Sequence, residues 1–212
     1  MRLQRLRSSI KGLYAITPDE LDTAVLLNKV RAALNGGAEV LQYRNKIADG
    51  ELRSHQARAL RSLTREYGVT YIINDDASLA LEVDADGVHL GGEDGSVVAA
   101  RTLLGADKLI GVSCYNRGSL AQQAELDGAD YIAFGAFFTS SVKPKAVVAS
   151  LDVLQQARRQ TQLPIVAIGG ITVENGEQLL QAGADALAVI SGVFSATDIE
   201  QTARQFSVLA DR

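Results

Sequence analysis

The sequence predicts an α/β protein: one (β/α)8 barrel domain over residues 1–212, with a short N-terminal extension over residues 1–10. Three observations predict it. A phrase of small residue, acid and apolar run occurs four times, as Ala38-Glu39-Val40-Leu41, Ala85-Asp86-Gly87-Val88, Ala129-Asp130-Tyr131-Ile132 and Ala184-Asp185-Ala186-Leu187. The occurrences fall 47, 44 and 55 residues apart. One strand and helix of such a barrel take roughly 25–30 residues, so each period holds two units and four periods make eight. Between the strand-like runs lie stretches with apolar residues at helical spacing. An open doubly wound sheet alternates in the same way, but the strand count and even period favour a closed TIM barrel.

The elements follow in order. Leu13-Tyr14-Ala15-Ile16 is the first strand. Asp22 to Leu34 carries Ala24, Val25, Leu27, Val30 and Leu34 at helical spacing, and Gly36-Gly37 stops it. The second strand runs from Val40 to Lys46. Alternation puts Gln42, Arg44 and Lys46 on one face and Leu41 and Tyr43 on the other. Glu51 to Tyr67 is helical, with Leu52, Ala59, Leu60 and Leu63 on its apolar side. The third strand is Thr70 to Ile73 and the fourth Gly87 to Leu90, with short helices after Ser78 and Ser96. Leu109 to Val112, Tyr131 to Gly135, Pro164 to Ile168 and the run from Ala184 complete the eight. Their helices are Leu120 to Leu126, Leu151 to Ala157, Val173 to Leu180 and Ile199 to Leu209.

Composition narrows the function. With 47% hydrophobic and 22% charged residues the chain is globular. A net charge of -4 argues against nucleic acid as the main partner. No apolar run approaches the ~20 residues of a membrane span. The basic stretch from Met1 to Arg7 has no apolar core behind it and does not read as a secretory signal. The single cysteine, Cys114, excludes an internal disulfide and fits a reducing, cytoplasmic location. The composition is neutral on a homodimer.

In barrels of this type the chemistry lies at the C-terminal ends of the strands, and there the sequence is polar. The second strand supplies Gln42, Arg44, Asn45 and Lys46, the third Asn74-Asp75-Asp76, the fourth Gly91 to Asp94 and the fifth Ser113. The sixth runs into Ser140-Ser141-Val142-Lys143, the seventh ends at Gly169-Gly170 and the eighth at Ser191-Gly192. Glycine lets the backbone approach an anion closely, so the last two ends suit a phosphate; the same glycines also serve ordinary strand-to-helix turns. Arg44, Lys46 and Lys143 form a second, cationic group shared with Asp75 and Asp94. Carboxylates beside phosphate repel it unless a cation intervenes, and Mg²⁺ takes one or two carboxylates plus phosphate oxygens. Of the adjacent pair, Asp75 is assigned to the metal and Asp76 to capping the next helix. A monophosphate site and a Mg²⁺–diphosphate site in one mouth point to two phosphorylated small-molecule substrates. No nucleophile sits beside a base. His89 lies in an apolar run and His55 on a helix surface, and no cysteine–histidine cluster suggests zinc.

Taken together, these residues resemble the thiamine-phosphate synthase family. The likeness runs from Tyr14 to about Phe194 and rests on six motifs in order. They are Gln42-Tyr43-Arg44-Asn45-Lys46, Asn74-Asp75-Asp76, Gly87-Val88-His89-Leu90-Gly91, Gly111-Val112-Ser113, Ala167-Ile168-Gly169-Gly170-Ile171 and Val189-Ile190-Ser191. The resemblance implies a transferase that joins hydroxymethylpyrimidine diphosphate to a thiazole phosphate, giving thiamine phosphate and diphosphate. It implies that Gln42, Tyr43, Arg44, Asn45, Lys46, Asn74, Ser113 and Lys143 bind the pyrimidine diphosphate, with Arg44, Lys46, Ser113 and Lys143 catalytic. By the same resemblance Asp75 and Asp94 hold Mg²⁺, and Ser140, Ser141, Val142, Gly170, Ile190 and Ser191 meet the thiazole phosphate. Two positions depart from the family. Gly92 replaces a usual glutamine, and Val142 replaces a threonine, leaving only a backbone N–H there. Two other outcomes are open to such a chain. A related thiazole tautomerase would carry a histidine where Tyr115 stands, and a non-catalytic phosphate-binding barrel would not need Arg44, Asp75, Asp94 and Lys143 together.

Overall fold

A computed structural model describes residues 8–91, 95–139 and 149–210. Asp94, Ser140, Ser141, Val142 and Lys143, together with Gly92, lie outside the described residues. Eight parallel strands close into one barrel in sequence order. They are β1 (Gly12–Ile16), β2 (Val40–Tyr43), β3 (Thr70–Asn74), β4 (Gly87–Leu90), β5 (Leu109–Tyr115), β6 (Tyr131–Gly135), β7 (Ile165–Ile168) and β8 (Ala186–Val189). The helices on the outside are α1 (Thr23–Asn35), α2 (Gly50–Tyr67), α3 (Ala77–Glu82), α4 (Val97–Leu104), α5 (Gly118–Leu126), α6 (Leu151–Gln160), α7 (Val173–Gln181), α8 (Ser191–Phe194) and α9 (Ile199–Ala210). No helix among the described residues is long and apolar enough to cross a membrane.

Local sequence explains where the helices begin. Asp22 accepts from the N–H groups of Ala24 and Val25, Asp49 from Leu52, Asp76 from Leu79 and Ser96 from Ala99. Each satisfies first-turn donors that have no intrahelical partner. The left-handed Gly68 ends α2 at φ 68°.

Strand alternation divides the core into two layers. Tyr14, Ile16, Val40, Ile72, Leu109, Tyr131, Ala133, Val166, Ala186 and Ala188 fill the barrel interior, together with Ile10 from the segment before β1. Leu13, Leu41, Tyr43, Tyr71, Ile73, Val88, Ile110, Ile132, Phe134, Ile165 and Leu187 pack the outer faces against the helices. β2 ends at Tyr43 rather than Lys46, and within it the expected split holds: Leu41 and Tyr43 lie in the outer layer while Gln42 bonds to Tyr14 inside.

The acid of the recurring phrase has a structural task at the N-terminal end of the barrel. Asp86 accepts from Tyr71 N at 2.9 Å, Asp130 from Ile110 N at 2.8 Å and Asp185 from Ile165 N at 2.7 Å. Each carboxylate thus ties the strand it precedes to the start of the strand before. Each also takes an arginine from a helix: Arg61 of α2, Arg101 of α4 and Arg158 of α6 respectively. Glu39, in the first phrase, pairs instead with Lys11 just before β1, at 3.3 Å. For the buried Asp130 and Asp86, the cation and the hydrogen-bond donors together offset the desolvation of the carboxylate.

Candidate active site

The C-terminal end of β2 is held by the end of β1. Thr17, fully buried, donates its hydroxyl to Arg44 O and accepts from Arg44 N, both at 2.8 Å. Asp19 accepts from Arg44 Nη1 at 3.2 Å and from Lys46 N at 2.7 Å. Between them Asn45 organises the turn. Its Oδ1 accepts from Ile47 N and Ala48 N, and its Nδ2 donates to Glu20 O and Gln56 Oε1. Tyr43 points outward and donates its hydroxyl to Gln56 Oε1 at 2.9 Å; burial pushes that hydroxyl up to about 12. Arg44 and Lys46 therefore present their cations at the mouth on a backbone fixed from both sides.

Across from them, β3 ends in Asn74 and the chain turns through Asp75 at φ 65°, a left-handed conformation that aspartate tolerates better than most residues. Asp75 N donates to His89 O at 2.8 Å, and its Oδ2 lies 3.9 Å from Lys46 Nζ. Asp76 caps α3, as the sequence reading assigned it. Arg44, Lys46, Asn74 and Asp75 line one cleft, joined by Arg53 of α2 and Ser96 at the start of α4.

Gln42 and Ser113 sit deeper. Gln42 Nε2 donates to the Tyr14 hydroxyl at 2.8 Å. Ser113 Oγ lies 2.9 Å from His89 Nε2. The pairing of β5 with β6 shifts register between Ser113 and Tyr115. Cys114, between them, is buried, and desolvation pushes its thiol up to about 12, so it is no nucleophile at neutral pH. Tyr115 is exposed, with the Arg117 guanidinium 5.8 Å from its ring centroid. His55 lies exposed on α2, as expected of a solvated surface residue.

At the ends of β7 and β8, Gly170 adopts φ 65°. A Cβ there would come within 2.7 Å of the carbonyl oxygens of Phe138 and Thr139, so glycine is required by the close pass of the loop after β6. Ile190 O accepts from Val193 N and Phe194 N, which sets Ser191 at the opening of the one-turn helix α8.

The sequence reading did not single out Thr17, Asp19, Tyr14, Tyr131 or Arg53. Thr17 and Asp19 follow the first strand in the same register as the other strand ends, and that was the signal available. Among the described residues no group of three or more His, Cys, Asp or Glu side chains assembles. Mg²⁺ does not need one, since one or two carboxylates with substrate oxygens suffice, and Asp75 beside Lys46 fits that requirement.

The fold and this mouth define a (β/α)8 barrel whose strand ends gather cations, a carboxylate and polar groups in one cleft. Comparison with known proteins makes the class specific. The family model described as thiamine monophosphate synthase matches residues 13–193. A thiamine-phosphate synthase from Methylobacillus flagellatus is 56% identical over 200 residues, covering 94% of this chain and 95% of that protein. One from Nitrosospira multiformis is 52% identical over 206 residues, covering 97% and 88%. The structure of thiamine phosphate pyrophosphorylase from Pyrococcus furiosus superimposes with a TM-score of 0.87 at 37% identity, covering 97% of this chain and 98% of that one. The chain belongs to the thiamine-phosphate synthase family.

Proposed function

We propose that this enzyme condenses hydroxymethylpyrimidine diphosphate with a thiazole phosphate to give thiamine phosphate and diphosphate. The observation that carries the reading is the convergence of Arg44 and Lys46 with the Asp75 carboxylate at one edge of the mouth. Together they suit a diphosphate bridged by a divalent cation. In the reaction the C–O bond to the diphosphate breaks and its electron pair leaves with the diphosphate. The thiazole nitrogen lone pair forms the new C–N bond at the same carbon, and no proton need be removed by the protein. That agrees with a site whose cysteine is buried and protonated. Arg44, Lys46 and Lys143 are assigned to oppose the negative charge that grows on the departing oxygens, which lowers the barrier only where they hold the transition state more tightly than the substrate. Asp75 and Asp94 would hold Mg²⁺, which supplies further charge neutralisation there.

Gln42, Asn74 and Ser113 are assigned to the pyrimidine diphosphate. Tyr43 and Asn45 act from behind, through Gln56 and the turn they stabilise. Gly170, Ile190, Ser191 and the segment Ser140 to Val142 are assigned to the thiazole phosphate. A tyrosine at position 115 removes the histidine that the tautomerase reading requires. The reading places the enzyme in the cytoplasm, acting on diffusible substrates. The test is product analysis with both substrates and Mg²⁺. Thiamine phosphate and diphosphate should appear in equal amounts, and no diphosphate release from the pair defeats the proposal.

A further inference from the structure

Five polar side chains from five strands form one continuous buried chain across the barrel. Gln42 Nε2 of β2 lies 2.8 Å from the Tyr14 hydroxyl of β1, which lies 2.9 Å from the Tyr131 hydroxyl of β6. That hydroxyl is 3.1 Å from His89 Nδ1 of β4, and His89 Nε2 is 2.9 Å from Ser113 Oγ of β5. Tyr14, Tyr131, Gln42 and His89 are all buried. The chain is built deliberately. A Cβ at Gly111 would lie 2.0 Å from Tyr131 Cζ, so β5 gives up a side chain to admit the phenol.

Hydrogen counting restricts what such a chain can do. Burial makes both phenols much weaker acids than an exposed tyrosine, so each keeps its single hydroxyl hydrogen at working pH. A group with one hydrogen between two neighbours donates to one and accepts from the other. The links therefore all run the same way, because any reversal leaves a buried hydroxyl hydrogen without an acceptor, at about 1–3 kcal/mol. With His89 neutral, only two polarities remain. In one, Gln42 donates to Tyr14, Tyr14 to Tyr131 and Tyr131 to His89 Nδ1. The imidazole hydrogen is then on Nε2 and is donated to Ser113, whose own hydrogen is free for the mouth. In the other, Ser113 donates inward, His89 carries its hydrogen on Nδ1, and Gln42 receives at its carbonyl.

We propose that this relay runs from Gln42 to Ser113, fixing His89 as its Nε2–H tautomer and setting the polarity of both mouth-facing ends at once: Ser113 a hydrogen donor, Gln42 Oε1 an acceptor. The Gln42 amide nitrogen faces Tyr14, as this polarity requires. It also suits the substrate of the proposed reaction, on which this part of the argument rests: the pyrimidine diphosphate offers ring nitrogens and oxygens that only accept, and a Ser113 hydrogen turned to the mouth can meet one of them. Tyr14 and Tyr131 are positioning residues. They transmit to one substrate-facing group the hydrogen-bonding sense of the other, so a hydrogen acceptor at Ser113 and a hydrogen donor at Gln42 are recognised together.

The test reads the imidazole itself. The chain has two histidines, so long-range nitrogen–proton NMR of untagged, ring-labelled enzyme, with His55→Gln for assignment, isolates His89. The wild type should show the hydrogen on Nε2 and a bare Nδ1; a hydrogen on Nδ1 overturns the proposal without any variant. Gln42→Glu replaces the amide with a group that only accepts, so the polarity reverses and a hydrogen appears on Nδ1, three hydrogen bonds away. In a Tyr131→Phe background the same change should leave His89 unaltered. Transmission that fails in the first case, or persists in the second, overturns the relay. Tyr131→Phe alone should lower kcat/KM for the pyrimidine diphosphate about tenfold, the worth of one ordinary hydrogen bond, and an unchanged kcat/KM counts against the role at Ser113. The tautomer is read without substrate, so its failure leaves the synthase reading standing, and a failure of turnover leaves the tautomer result standing.

Discussion

Replacing Asp75 by asparagine separates chemistry from folding more cleanly than any other change at this mouth. Asp75 sits at φ 65°, in the left-handed region, where asparagine is tolerated as well as aspartate. The backbone hydrogen bond from Asp75 N to His89 O is therefore untouched. The lost ion pair spans 3.9 Å between side chains 59% and 30% exposed, and pairs of that kind contribute roughly 0–1 kcal/mol. For a domain of this size 1 kcal/mol moves Tm by about 2–4 °C, so the melting midpoint should stay within about 4 °C of wild type. The rate should behave differently. Loss of one preorganised group that stabilises developing charge costs roughly a hundredfold to a thousandfold in kcat. The assay is diphosphate release at saturating substrates across a Mg²⁺ titration, beside a melting curve. Asp76→Ala is the control. It removes the cap of α3, should cost about 1 kcal/mol of stability, and should leave kcat near wild type. Asp75→Asn enzyme with wild-type rate and Mg²⁺ dependence would refute the metal assignment, and so would equal slowing by the two substitutions.

Three further outcomes are expected. Gly170→Ala forces a Cβ to within 2.7 Å of two carbonyl oxygens at φ 65°. It should raise KM for the thiazole phosphate more than for the pyrimidine diphosphate in steady-state kinetics, and equal effects on both would argue against a dedicated site. Lys143→Ala should lower kcat roughly a hundredfold while the melting curve barely moves, and a change confined to KM would show a ground-state contact instead. Asp130→Asn breaks a fully buried carboxylate away from Arg101. Calorimetry should find a loss of about 3–5 kcal/mol, or roughly 6–20 °C in Tm, with kcat at low temperature preserved.

The barrel was legible because its signal is periodic. Every two units the chain repeats an alanine, an acid and an apolar run, and each strand alternates inner and outer residues, so β2 could be sorted by parity alone. The purpose of the repeated acid was not legible. Asp86, Asp130 and Asp185 find their arginines 25, 29 and 27 residues away, on helices whose surface arginines look like any others. The cations at the mouth were legible as charges at strand ends that lacked local partners. Their supports were not: Asp19 reads as a turn residue after Pro18, and Thr17 as the first residue of that turn. Tyr14 and Tyr131 were hidden for a different reason. A buried tyrosine satisfies the apolar pattern with its ring, and nothing in the pattern reports what its hydroxyl reaches.

The two ends of the barrel treat charge in opposite ways, and that difference locates the chemistry. At the N-terminal end Arg61 and Asp86 meet through two hydrogen bonds, and Arg101 reaches an Asp130 side chain with no exposure at all. Those charges pair with each other and take further donors from strand backbones, and the atom left without a hydrogen-bond partner, Arg61 Nε, is buried. At the C-terminal end Lys46 approaches Asp75 only to 3.9 Å with more than half its surface exposed, and Arg44 shares Asp19 with the Lys46 backbone. Cations held on a rigid backbone but incompletely neutralised keep a field that an anion can complete, and they lose little reorganisation energy when it arrives. The same alternation of strand and helix builds both ends. Closing the pairs at one makes a floor, and leaving them open at the other makes a site.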